Sequence, residues 1–142
     1  MSEKKQEKKV AYEVAEQEFE SFAYAWRLDI DTETMTGEDA EDFETSKRKI
    51  VRQIVMGNAA VNEEGNIIYK LFEPVGTLEE ITMTRPRGRA WLNMDRSKAD
   101  KNVTKFTEVI CSGIGQIQTI VARMDGIDVK FLHAVYGLFL GS

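Results

Sequence analysis

From Val10 onward, apolar residues recur at intervals of three and four: Ala11, Ala15, Phe19, Phe22 and Trp26, with Glu13, Glu16, Glu18 and Glu20 between them. That period predicts an amphipathic helix ending near Leu28, with one greasy face and one acidic face. Asp29–Thr36 carries no such stripe. Thr36, three residues ahead of Asp39, fits a capping pair for a second helix reaching about Met56. Ala40, Phe43, Ile50 and Ile54 give that helix its buried stripe. Its early acids (Glu38, Asp39, Glu41, Asp42) and late bases (Lys47, Arg48, Lys49, Arg52) complement the helix dipole, and Gly57 supplies a stop. Residues 1–57 thus read as an acidic helical hairpin, preceded by Ser2–Lys9, a Lys/Glu segment without an apolar residue that is expected to fray.

The period then changes. Ala59-Ala60-Val61 and Asn66–Leu71 flank Asn62-Glu63-Glu64-Gly65, whose glycine can take positive φ, and this predicts a β-hairpin. A third strand, Leu78–Met83, follows Pro74 and Gly76. Pro86 suits the first turn of a short helix to about Met94. Val103, Phe106 and Ile110 mark another helix, expected to break at Ser112-Gly113-Ile114-Gly115. Ile117, Ile120, Val121 and Met124 mark one more, and Asp125 with Asp128 form a second capping pair ahead of a final helix, roughly Ile127–Leu140. The expected fold is α+β and mostly helical, with an antiparallel sheet of about three strands. Residues 58–142 form its second part, a small sheet with helices.

The 142 residues suffice to bury a core, and 42% hydrophobic with 30% charged is an ordinary globular balance. The net charge of -5 is unevenly spread: residues 1–70 hold ten Lys/Arg against sixteen Asp/Glu, and residues 71–142 hold nine against eight. An acidic first half disfavours nucleic acid and membrane surfaces and suits basic protein partners. One cysteine excludes an intrachain disulfide, the N-terminus lacks the apolar core of a signal peptide, and the apolar last helix is shorter than the ~20 residues of a membrane span. A cytoplasmic protein is the expectation.

Chemistry has few candidates. His133 lies in the apolar last helix without companions for a metal site or triad, and Cys111 has no basic neighbour in sequence to lower its pKa. Asp125 and Asp128, three apart, could work as acid and base, but capping explains them more simply. Asp29-Ile30-Asp31 with Glu33 alternates acids like a calcium loop, yet has no glycine at the sixth position and no glutamate at the twelfth. No enzyme, metal or cofactor is expected. Arg85, Arg87 and Arg89 beside Trp91 form a basic cluster for acidic side chains or phosphates; without a wider basic stripe, a protein contact or internal pairing is favoured. The last helix is the stronger hint, because Val129, Phe131, Leu132, Ala134, Val135, Tyr136, Leu138, Phe139 and Leu140 leave it almost no polar face. Its cover must be either the helical hairpin or another chain.

Strand Glu80-Ile81-Thr82-Met83, then Arg85-Pro86, then helices reaching Met124-Asp125-Gly126-Ile127-Asp128 and an aliphatic helix closed by Phe139-Leu140-Gly141, resembles the short tail assembly chaperones of long-tailed phages, the Mu-like and P2 E-like group. The similarity runs from Asn66 onward, with Met124 standing where that family has Leu, and the first half is longer than usual. The resemblance implies a non-enzymatic phage or prophage protein that binds the helical tail tape-measure protein and helps recruit tail-tube subunits. Apolar anchors for such a client are expected at Phe19, Phe22 and Trp26 on the first helix and at Phe131, Val135, Leu138 and Phe139 on the last, facing a client or a second copy of the chain. Arg85, Arg87, Arg89 and Trp91 complete the expected partner surface. The rival expectation is a nucleic-acid-binding or regulatory adaptor using Arg85, Arg87, Arg89 and Lys98.

Overall fold

A computed structural model describes residues 9–86 and 102–141. The fold is α+β and mostly helical, the described residues forming a three-stranded antiparallel sheet and five helices. In chain order these are α1 (Tyr12–Ala25), α2 (Gly37–Val55), β1 (Ala59–Val61), β2 (Ile67–Val75), β3 (Leu78–Met83), α3 (Asn102–Ile114), α4 (Gln118–Ala122) and α5 (Gly126–Gly141), with a 3-10 turn at Thr32–Thr34. Among the described residues, no helix is long and apolar enough to cross a membrane.

The N-terminal hairpin forms as its periodicity requires. Thr36 Oγ1 accepts the Asp39 N–H at 3.1 Å, which caps α2. At its other end, Gly57 N–H donates to the Ile54 carbonyl and Asn58 N–H to the Gln53 carbonyl, with Gly57 at φ 80. This doubly bonded left-handed stop satisfies carbonyls that the helix itself leaves open. The same motif closes α1 earlier than Leu28, because Arg27 adopts φ 58 and Leu28 N–H turns back to the Ala23 carbonyl. A positive φ there is costly for any residue with a Cβ, which is why the sequence gives no warning of it. Lys47 reaches Glu16 at 3.1 Å and ties α2 to α1.

The sheet runs in the order β1-β2-β3, with Tyr69 opposite both Ala59 and Ile81. Ala59, Ile67, Tyr69, Leu71, Ile81 and Met83 point inward and are buried, as the strand period of two demands. Two details depart from expectation. β2 continues past Leu71 to Val75, because its pairing with β3 shifts register between Lys70 and Val75 and so accommodates Pro74, which has no N–H to give a regular ladder. And α3 runs through Ser112-Gly113 rather than breaking there.

Gly113 explains that continuity. A Cβ at this position would overlap the Tyr136 hydroxyl of α5. The missing side chain lets α5 approach, and the Gly113 carbonyl accepts both the N–H and the hydroxyl of Thr84, at 2.9 and 2.7 Å. Tyr136 completes the junction by donating to the Thr84 carbonyl at 3.0 Å. A helical glycine costs about 1 kcal/mol of propensity, which these contacts offset.

The helical hairpin and the sheet share one apolar core, so the division at residue 57 separates elements rather than cores. α5 lies at its centre, packed on α2, α3 and β2. The chain itself covers most of this helix, leaving a narrow exposed stripe of Ile127, Lys130 and His133.

Candidate functional site

Phe19, Phe22, Trp26, Phe131, Val135, Leu138 and Phe139 are all buried in this core. Trp26 is the hub, with ring centroids 4.8 Å from Phe22, 5.5 Å from Tyr136 and 6.1 Å from Phe139. The two apolar faces expected to meet a client are therefore taken up within the chain: they meet at Trp26, and the aromatic area on α1 and α5 is consumed by folding. Arg85 serves the same junction. Its Nε donates to the Trp26 carbonyl at 3.0 Å and its guanidinium lies 5.4 Å from the Phe139 ring centre, which anchors the start of the basic cluster to the end of α1. Arg87, Arg89, Trp91 and Lys98, with the short helix expected from Pro86 to Met94, lie outside the described residues.

The remaining chemical candidates have structural settings. Asp29 and Asp31 accept the N–H groups of Asp31 and Glu33, closing local turns ahead of α2. Burial, with Glu108 nearby, pushes the Cys111 thiol up and keeps it protonated at neutral pH. His133 stacks on Phe106 with centroids 4.5 Å apart, and partial burial lowers its pKa, so the ring is neutral.

Asp125 and Asp128 divide the work expected of a pair. Asp125 caps α5, its Oδ1 accepting the Ile127 N–H at 2.8 Å. Asp128, 0% exposed, does not turn back to its own helix. Its Oδ1 accepts the Tyr69 hydroxyl at 2.7 Å and the Phe72 N–H at 2.8 Å, and its Oδ2 accepts the Glu73 N–H at 3.3 Å. These are the N–H groups of the irregular stretch of β2, so a buried carboxylate replaces the partners that the register shift removes. Burial and Asp128 together drive the Tyr69 phenol far up, holding it as a donor, and its ring stacks on Phe131 at 4.2 Å.

The two aspartates thereby fix two exposed apolar side chains. Phe72 is 65% exposed and Ile127 48% exposed, each on a backbone N–H held by Asp128 or Asp125. Between them opens a cleft of about 380 Å³, bounded also by Arg52 and Gln53 of α2, by its C-cap Met56, and by Asn58 and Lys70. A second cleft of similar size has a floor of Met35, Phe43 and Leu138 under Asp29, Asp39 and Asp42. Asp39 there sits in the first turn of α2, at the positive end of the helix dipole, which accounts for it. The Phe72–Ile127 cleft has no such internal explanation. Its signal in sequence was the strand period: the alternation that turns Ile67, Tyr69 and Leu71 inward turns Phe72 outward.

No family model, curated protein or solved structure matches this chain.

Proposed function

We propose that this chain is a non-enzymatic assembly chaperone or adaptor, of the kind that holds a phage tail tape-measure protein and helps bring tail-tube subunits to it. The observation that carries the reading is the fixed display of Phe72 and Ile127 beside Met56 at the rim of the cleft. Exposed apolar side chains on pinned backbone suit the capture of a helix, whose anchors at successive turns enter a preformed groove. The element that does the pinning, Asp125-Gly126-Ile127-Asp128, is one of those that carry the resemblance to tail assembly chaperones.

The client surface is thus assigned to Phe72, Ile127 and Met56, and the aromatic faces of α1 and α5 support it from within. The rival reading, a nucleic-acid adaptor, is the weaker because Arg85 is engaged inside the chain. Co-expression with a tape-measure protein from a tail gene cluster tests the proposal. The intact chain should co-purify with it, and Phe72→Ala with Ile127→Ala should abolish co-purification while leaving the circular dichroism spectrum unchanged. Undiminished co-purification by the folded double variant would refute the assignment.

A further inference from the structure

The charges around the Phe72–Ile127 cleft run against those of the chain. Lys49 and Arg52, three apart and both exposed on α2, lead toward the cleft, and Met56, the C-cap of that helix, lies one turn beyond Arg52. Lys70 borders it on β2, and Lys130 lies exposed one turn beyond Ile127 on α5. No carboxylate is among the side chains bounding the cleft. Glu80 stands opposite Lys70 in the sheet register without closing an ion pair, and Lys49, Arg52 and Lys130 likewise have no ion-pair partner among the described residues. Of the acids nearby, Asp125 and Asp128 are engaged by backbone N–H groups, Asp128 in full burial, and the exposed Glu73 and Glu80 are not among the residues that bound the cleft. Two cations without an ion-pair partner among the described residues, Arg52 and Lys70, therefore border three apolar side chains on a molecule of net charge -5.

We propose that the cleft takes an acidic amphipathic helix of a protein partner, its apolar side chains seated between Phe72, Ile127 and Met56 and its carboxylates facing Arg52 and Lys70, with Lys49 and Lys130 exposed one turn away along α2 and α5. The proposal rests on the chaperone reading for the use of this surface and adds the chemistry of the occupant. Cations at the rim of a small apolar contact choose among helices that the apolar contact alone would accept equally, and they speed encounter with acidic ones. A basic helix is repelled.

A pair of labelled synthetic helices tests this, identical in their apolar positions and carrying either glutamate or lysine elsewhere. Titrated with the full chain and followed by fluorescence anisotropy, the acidic helix should bind roughly tenfold more tightly or better, with the preference shrinking as salt is added. Arg52→Glu with Lys70→Glu should reverse the order, and Phe72→Ala with Ile127→Ala should weaken both. Equal binding of the two helices, or tighter binding of the basic one, overturns the proposal. So does a chain that binds neither and instead self-associates through this surface, because the occupant is then a second copy. The chaperone reading fails separately: a tape-measure protein retained by Arg52→Glu with Lys70→Glu refutes the acidic partner and leaves the client, whereas helix binding without any tape-measure binding leaves the cleft and refutes the client.

Discussion

Replacing Asp128 with alanine removes the acceptor of three hydrogen bonds at a position with no solvent access. The cost can be built group by group. The Tyr69 hydroxyl stays buried and loses its acceptor, at about 2 kcal/mol, within the ~1–3 kcal/mol typical of a stranded buried donor. Phe72 and Glu73 N–H are part-buried and regain some water, so each contributes about 1 kcal/mol or less. With a small cavity where the carboxylate was, Asp128→Ala should destabilise by about 3–5 kcal/mol. Tyr69→Phe removes one donor and leaves the carboxylate two, and should cost about 1–1.5 kcal/mol. Because the two groups share one bond, Tyr69→Phe should cost ~1 kcal/mol less when Asp128 is already alanine. Urea unfolding followed by far-ultraviolet circular dichroism measures all three, with the midpoint falling and the slope unchanged. A loss below ~1 kcal/mol for Asp128→Ala, or strict additivity with Tyr69→Phe, would refute the clamp.

Arg27→Gly should stabilise the fold by up to about 1 kcal/mol, read as a higher thermal midpoint, since Arg27 holds a left-handed conformation that glycine adopts freely. Gly113→Ala should cost about 2 kcal/mol or more by overlap with the Tyr136 hydroxyl, and adding Tyr136→Phe should recover part of the loss in the same melt, an interaction that simple propensity does not predict. At Glu16, burial opposes ionisation, but hydrogen bonds from Lys47 and Tyr12 outweigh it and hold the pKa below the ordinary glutamate range. The stability this pair contributes is therefore present above that range and lost as pH falls through the lowered value. Lys47→Ala should cost under ~1 kcal/mol at neutral pH and nothing in strong acid, as urea midpoints at the two pH values will show.

The helices and strands were legible because their signals are local. Thr36 and Gly57 bracket α2 with a hydroxyl and a left-handed glycine, and Leu78–Met83 is the third strand to the residue. Misses arose where a distant group decides the outcome. Arg27 takes a glycine's conformation, Gly113 stays helical because Tyr136 and Thr84 use its missing side chain and its carbonyl, and β2 outlasts Leu71 because Asp128, fifty-six residues from Phe72, supplies acceptors. The burial of the expected anchors was hidden for a related reason. Composition marks apolar surface without saying which faces cover one another, so Trp26 and Phe139 drew notice while Phe72, turned outward by a period of two, did not.

Photo-crosslinking from position 72 tests the central claim most directly. A photoreactive amino acid replacing Phe72, in cells expressing a set of tail genes, should attach to the tape-measure protein on irradiation. The same group replacing Tyr24, 88% exposed but remote from the cleft's lining, should not. Attachment from position 24 and none from position 72 would contradict the account.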